Sequence, residues 1–364
     1  RLEVGAQDWS VREASRQEAE EYWDSLRPAG VLLPEHDLTV SELVDLSDAG
    51  AGDARAIGAK AANLAELAKV QVGGAPIATP DDPFAVPFWF YQRHLEDSGL
   101  EAEVDRLLED APSLSPEELS ERLFALRWAI FRAPMPAGMR DLIAAEARAR
   151  WGDAARVRFR SSTNVEDLPD FSGAGLYTSA SADLALGDQE VEQAVKVVWA
   201  SAWNLQAFVE RDFYRVDHRR VMMGVLVHPA MPDELANGVA VTINEFAANR
   251  PAFYINAQLG EVSVTNPTGL AVPEQILYYI WYEEPEYEVI TRSSLVAAAP
   301  GWPAYPAVLS EEELDRLASY LSAAHAHFAA RAGGGGPDFA LDVEWKLAPG
   351  HVVMLKQARP LVRR

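Results

Sequence analysis

The chain has no cysteine among its 364 residues. That excludes disulfides, thiolate metal ligands and cysteine nucleophiles together, and is compatible with a reducing compartment such as the cytoplasm. Long apolar runs are also missing: no stretch approaches the roughly 18 consecutive apolar residues that a membrane span needs. Positive charge is scarce. Lys and Arg total 32 against 55 Asp and Glu, a formal net charge of −23, and no basic run stands out. Such a chain repels a nucleic-acid backbone or an anionic membrane, so neither is expected as a partner. Internal repeats and low-complexity tracts are absent too. The first residue is Arg1 rather than methionine, and the chain is expected to be a fragment or processed form.

What is present suits a globular protein: 49% hydrophobic and 24% charged residues. The length exceeds one compact core and favours two lobes with a cleft between them. Residues 1–35 read as a polar arm with one helix, Ser15–Leu26, ended by Pro28, Gly30 and Pro34. Residues 36–219 read as a helix-rich first lobe and residues 220–364 as a second lobe with an antiparallel sheet. In the first, helices are expected over Ile57–Val70, Pro87–Asp97, Pro116–Arg132, Pro136–Arg150 and Asp188–Asp212, with a short strand at Val157–Phe159. In the second, strands are expected at Val221–Val227, Gly238–Ile243 and Phe253–Gln258, then helix Glu311–Arg331, a glycine linker at Gly333–Gly336 and two strands, FALDVEW and HVVMLKQ.

On those last strands Asp342 and Glu344 lie two apart and share a face, as do Gln357 and Arg359. Carboxylates of this kind suit Mg²⁺ beside phosphates, and the arginine fork matches phosphate oxygens. An exposed sheet face with cross-strand charge pairs gives the same spacing. The stretch Arg160–Gly175, RSSTNVEDLPDFSGAG, holds too many breakers for a helix; its hydroxyls and glycines suit a loop over a polyphosphate, or an ordinary surface turn. Lys60, one turn into a helix behind a Gly/Asp-rich loop, suits an anion, or solvent.

Together these segments carry a resemblance. IGAKAANLAEL is similar to the Gly-Gly-Lys-Gly-x-Asn-Leu-x-Glu-Leu opening of the ATP domain of the phosphoenolpyruvate synthase and pyruvate phosphate dikinase family. FRSSTNVEDLPDFSGAGLY resembles its Arg-Ser-Ser-x-x-x-Glu-Asp-Leu-Pro segment. VKVVWASAW, NGVAVT, QLGE, DVEW and LKQARP follow in the same order, from about Ala56 to Pro360. The central segment is also similar to the ATP domain of the glucan, water dikinases. The resemblance implies an α+β, two-lobed ATP-grasp fold with a nucleotide cleft between a helix-rich lobe and an antiparallel-sheet lobe, and ATP and Mg²⁺ as cofactors. It implies that Lys60 and Arg160 contact the ATP phosphates, that the Ser172, Gly173, Gly175 turn closes over them, and that Val227 and His228 lie beside the adenine. Glu261 then holds the ribose, Asp342 and Glu344 organise Mg²⁺, and Gln357 and Arg359 act with Arg160 at the transferred phosphoryl group.

Three departures accompany it. His228 stands where the family has glutamine, Gln258 replaces the first glycine of Gly-Leu-Gly-Glu, and Asn244 and Glu245 replace an arginine and an aspartate. His228 also reads as a packed strand-end histidine. None of the seven histidines lies in the Thr-Ser-His context of the family's phosphocarrier, and His325 and His327, two apart on a helix, do not share a face. The implied function is dikinase-type transfer from Mg-ATP to a histidine on another domain or chain. The alternatives are ligase-type acyl-phosphate chemistry and a nucleotide-responsive binding module without catalysis.

Overall fold

Two antiparallel sheets organise the chain in the computed structural model, which describes residues 1–4, 8–136, 138–168, 171–173, 175–231, 233–247, 249–262, 264, 271–280, 286–296, 307–334, 336 and 339–361. The first contains β1 (Val44–Asp45), β2 (Phe84–Val86), β3 (Arg156–Thr163), β4 (Ala180–Asp183) and β5 (Met223–Pro229), ordered β4-β3-β5-β2-β1. The second contains β6 (Ala236–Val241), β7 (Ala252–Leu259), β8 (Glu274–Tyr279), β9 (Glu286–Thr291), β10 (Leu341–Ala348) and β11 (Val352–Pro360), ordered β9-β8-β7-β6-β10-β11. The expected α+β, two-lobed arrangement is the one observed, and the helix-rich lobe has a sheet of its own. That sheet was hard to read because β1, β2 and β4 are only two, three and four residues long. β5, expected with the second lobe, pairs with β2 and β3, so the sheets divide after Pro229 rather than at residue 219.

The helices are α1 (Arg16–Leu26), α2 (Ala54–Ile57), α3 (Ala59–Leu67), α4 (Phe88–Asp97), α5 (Glu101–Asp110), α6 (Pro116–Arg132), α7 (Met139–Trp151), α8 (Asp188–Ala200), α9 (Leu205–Phe213) and α10 (Glu311–Arg331). Ser15, Ser115 and Ser310 start three of them with capping boxes, each closed by a glutamate three residues on. Two expected helices are broken. Gly58 interrupts the first at φ 84°. Asn204 interrupts the second in extended backbone (φ −58°, ψ 139°), its amide donating to the Leu176 carbonyl at 2.9 Å. Of the expected segments, Ala137, Pro169, Asp170, Ala174 and Gly335 lie outside the described residues.

Each sheet has one apolar face. Val157 and Phe159 of β3, Val225 and Val227 of β5, and Phe84 and Val86 of β2 pack against α4, α6, α7 and α8. Val343, Trp345 and Leu347 of β10 and Leu355 and Ala358 of β11 pack against Leu317, Leu321 and Phe328 of α10. α3 joins this second core through Ala61, Leu64 and Leu67, although its N-terminus abuts β3 of the first sheet. The helix therefore ties the lobes together. Buried Glu66 fastens it to α10, accepting from His327 Nε2 at 2.9 Å and lying 3.4 Å from Arg331. Burial alone would raise the Glu66 pKa, but the bonds from His327, the Ala51 N–H and Lys69 outweigh it and hold the group down at about 2. The N-terminal arm docks through Trp23, edge-on to Phe213 with ring centroids 6.0 Å apart, while Tyr22 and Trp9 stay exposed.

Gly58 is the tightest point of the α3 junction, since a Cβ there would lie 2.1 Å from the Ser162 carbonyl oxygen, at a φ that L residues avoid. Gly99 has a similar φ of 68° with open space around it. Gly99→Ala is expected to cost about 1–2 kcal/mol in denaturant unfolding and Gly58→Ala distinctly more. Equal costs would contradict the junction described.

Candidate functional site

Strand alternation builds the site. On β3 Arg156, Arg158 and Arg160 alternate with Val157 and Phe159 of the helical core, and on β10 Asp342, Glu344 and Lys346 alternate with Val343, Trp345 and Leu347, which pack towards α10. β11 needs one more device. Simple alternation would turn Gln357 and Arg359 to the same face as Val353 and Leu355, into the core. Instead Glu344 pairs with Gln357 while Trp345 pairs with Leu355, so Lys356 is an extra residue and the register shifts. Ala358 then enters the core and Gln357 and Arg359 turn to the same side as Asp342 and Glu344.

A cavity of about 420 Å³ lies between the two polar faces, lined by five cationic side chains (Arg156, Arg158, Arg160, Lys346, Lys356), three carboxylates (Glu234, Glu261, Glu344), Ser179, Ser181, His228, Ala230 and Met231. At its centre Arg160 Nη2, from the first lobe, donates to Glu344 Oε2 at 2.8 Å and Gln357 Oε1 at 2.9 Å, both from the second. Burial would raise the Glu344 pKa, yet Arg160, Lys356 and Lys60 together lower it to about 2, so the carboxylate is ionised. One step along the strands Arg359 grips Asp342 Oδ2 with Nε at 3.0 Å and Nη2 at 2.5 Å. Lys346 approaches Glu234 at 3.3 Å, and burial lowers its pKa.

His228 alternates with the buried Val227 and reaches the cleft face. Its Nδ1 lies 2.8 Å from the Pro229 carbonyl, and its buried Nε2 has no partner. Burial, then the neighbouring Arg160, push its pKa down to about 3, so the ring is neutral; donation from Nδ1 to the carbonyl leaves Nε2 as an acceptor.

Of the residues expected from the sequence, Arg160, His228, Glu261 and Glu344 line the cavity, with Gln357 bonded into it and the Asp342–Arg359 pair adjoining. Val227 does not: its side chain belongs to the first-lobe core. Lys60 is held beside Arg160, 2.9 Å from both the Ser161 carbonyl and Glu166 Oε1. Ser172 sits in a short hairpin with Asp167. Gly173 packs on Glu166, where a Cβ would meet that residue's Cα at 3.1 Å, and Gly175 borders an apolar groove with Trp23 and Phe213. Among the described residues, then, Gly173 supports the partner of Lys60, and neither Gly173 nor Gly175 lines the cavity. Arg156, Arg158, Lys346, Lys356 and Glu234 were not singled out from the sequence. The first three were legible, because RVRFR and DVEWK continue the same two-residue period, and Lys356 follows by simple alternation from core-facing Val353 and Leu355; it is Gln357 and Arg359 that depend on the bulge.

The sequence departures have structural roles. Asn244 Oδ1 accepts from the backbone of Phe246 and Ala247, and Gln258, fully buried, bonds to Val272 and Ser293. His325 pairs with Thr242 Oγ1. Among the described residues, no three His, Cys, Asp or Glu side chains are grouped to hold a metal ion, and no helix is long and apolar enough to cross a membrane.

The Lys60–Glu166 pair is nearly buried, with side chains 12% and 6% exposed. Lys60→Met strands the carboxylate and is expected to cost about 3–5 kcal/mol of stability, most of it recovered in Lys60→Met/Glu166→Met. A double variant no more stable than the single one would contradict this.

The geometry agrees with comparisons to known proteins. Residues 54–364 match the family described as pyruvate phosphate dikinase, AMP/ATP-binding domain. The phosphoenolpyruvate synthase of Aeropyrum pernix is 28% identical over 358 residues, covering 84% of this chain and 40% of that protein. A probable phosphoenolpyruvate synthase of Methanothermobacter thermautotrophicus is 27% identical over 347 residues, covering 89% and 46%. A rifampicin phosphotransferase of Streptomyces is 29% identical over 240 residues, covering 64% and 26%. The chain thus spans less than half the length of these relatives. Two solved structures, a D-cycloserine synthetase and a D-alanine-D-alanine ligase from Coxiella burnetii, are each 10% identical. They cover 63% and 67% of this chain, and it covers 55% and 50% of theirs, with TM-scores of 0.31 and 0.27, too slight a likeness to bear on the reading. With the match running through α3, β3, the cleft and β11, the chain belongs to the family of pyruvate phosphate dikinase AMP/ATP-binding domains.

Proposed function

We propose that the chain binds Mg-ATP between its two lobes and transfers a phosphoryl group from it to a histidine carried on another domain or another chain. The observation that carries this reading is the convergence of Glu344 and Gln357 on one guanidinium nitrogen of Arg160. A carboxylate and an amide oxygen that close on a cation across a cleft form a donor set suited to Mg²⁺, which takes one or two carboxylates and leaves its other positions to water and phosphate. Glu344 and Gln357 are therefore the proposed metal ligands. Asp342, clasped by Arg359, joins the set when Arg359 turns to the phosphate. Bound there, Mg²⁺ would neutralise charge on the phosphates.

Phosphoryl transfer asks little covalent chemistry of a protein and depends on positioning and charge neutralisation. Arg160 and Arg359 supply planar forks that match phosphate oxygens, and Lys60 a third cation beside them. In this reading these three hold the phosphates, Glu261 meets the ribose and His228 the base, and the Ser172–Gly175 turn moves over the phosphates when the nucleotide enters. No histidine of the cleft other than His228 is available, and its Nε2 lies next to Arg160 in the proposed nucleotide site rather than on an accessible surface; the acceptor is accordingly placed elsewhere. An ATP-consuming reaction and a cysteine-free chain both suit the cytoplasm. Retention of Lys60, Arg160, Glu344 and Arg359, which cost desolvation to assemble, favours catalysis over a binding module.

The purified chain, Mg-ATP and a cell extract as the source of acceptor are expected to give AMP, inorganic phosphate and acid-labile protein phosphate in equal amounts, because AMP forms only when the β-phosphoryl stays on the histidine and the γ-phosphate passes to water. Arg359→Ala and Glu344→Ala, both on the polar cleft face, are expected to lower that transfer by about 10²–10³-fold with unfolding curves little changed. Full activity in either variant would remove the mechanism, and release of ADP coupled to an amine substrate would favour ligase chemistry.

A further inference from the structure

The groups assigned to ATP phosphates account for only part of the cleft. From Arg160, β3 continues through Arg158 to Arg156 on the same face, each step about 6.7 Å at the usual strand rise. Lys346 lies one step from Glu344 on β10, and Lys356 lies at the bulge on β11. Among the described residues, only Ala230 and Met231 are apolar in the cavity lining, whereas sites for flat organic ligands are lined mainly by apolar and aromatic groups. Of the backbone groups at this end, Pro229 has no N–H, and the Ala230 N–H donates to the Arg156 carbonyl at 2.7 Å.

The positive charge is also poorly matched. Lys346 has Glu234, but the carboxylate nearest Lys356 is Glu344, 3.9 Å away and already bonded to Arg160. Arg158 donates to the neutral Ser181 Oγ at 3.0 Å. Among the described residues, neither Arg156 nor Arg158 forms an ion pair with a carboxylate. Burial lowers the pKa of both Arg158 and Lys356, so leaving these charges without an anion is costly, whereas Arg156 at the start of β3 is exposed and free to follow a ligand.

We infer that Arg156, Arg158 and Lys356, with Ser179 and Ser181, form a second anion subsite that binds the distal phosphates of a linear inorganic polyphosphate whose other end lies at Arg160. This rests on the reading that the Arg160 end holds phosphate, and adds that the cleft admits a phosphoanhydride chain without a nucleoside. Such a ligand uses Arg156, Arg158, Arg160 and Lys356, the cavity cations other than the Glu234-paired Lys346, and requires no base pocket. It competes with ATP, because both occupy the Arg160 end.

Calorimetric titration with Mg²⁺-tripolyphosphate and, separately, Mg-ATP tests this on the wild type, Arg158→Gln and Lys356→Gln, with thermal melts confirming that each variant is folded. The expected result is tripolyphosphate binding that displaces ATP, falls steeply with added salt, and weakens at least about tenfold (1.4 kcal/mol) in each variant while ATP affinity changes less than about threefold. Three results overturn the subsite but leave the nucleotide reading standing: wild type that binds ATP and not tripolyphosphate, tripolyphosphate affinity unchanged by both substitutions, or ATP weakened as much as tripolyphosphate. Tripolyphosphate binding without ATP binding upholds the subsite and removes the nucleotide reading. Binding of neither ligand overturns both.

Discussion

Arg160 is the point on which the two lobes meet chemically. It leaves β3 of the first sheet and places one guanidinium nitrogen between Glu344 and Gln357 of the second. A nearly buried arginine held this way fixes the spacing of the cleft, keeps Glu344 ionised and orients the amide oxygen of Gln357. Its charge reaches His228 as well, where after burial it is the next largest influence keeping the ring neutral. The mechanical counterpart is α3, whose N-terminus abuts β3 at Gly58 and Ser162 while its apolar side shares a core with β10, β11 and α10. One helix and one ion-pair bridge thus set the distance across which a phosphate chain would be held.

Much of this was legible in the sequence because the site is made of strands, whose side chains alternate. Asp342 and Glu344 share a face for that reason alone, and the α6 and α10 boundaries follow from Ser-Pro-Glu-Glu and Ser-Glu-Glu-Glu capping signals. Other features were not legible, for physical reasons. The bulge at Lys356 arises from pairing between β10 and β11, and nothing local in VVMLKQARP announces it; without it Gln357 and Arg359 would face the core. Gly58 and Asn204 break helices whose apolar periodicity runs straight through them, because each answers to a distant neighbour, Ser162 and Leu176 respectively.

The unusual residues divide into two groups by what they touch. Asn244 and Gln258 spend their hydrogen bonds on the backbone and hydroxyls of their own lobe, so their substitution changes local scaffolding. His228, Arg158, Lys346 and Lys356 face the cavity instead and make one end of it polar and cationic. Charges are paired around Arg160, whereas beyond it, among the described residues, Arg156 and Arg158 have no carboxylate partner, so the cleft is not uniform along its length.

The most direct measurement of the central claim is calorimetric titration of Mg-ATP into the wild-type chain and into Arg160→Met, an uncharged side chain of similar length. The account predicts saturable, Mg²⁺-dependent binding to the wild type and a loss of at least about a hundredfold, near 2.7 kcal/mol, in the variant. No binding to the wild type, or equal binding to both proteins, would contradict it.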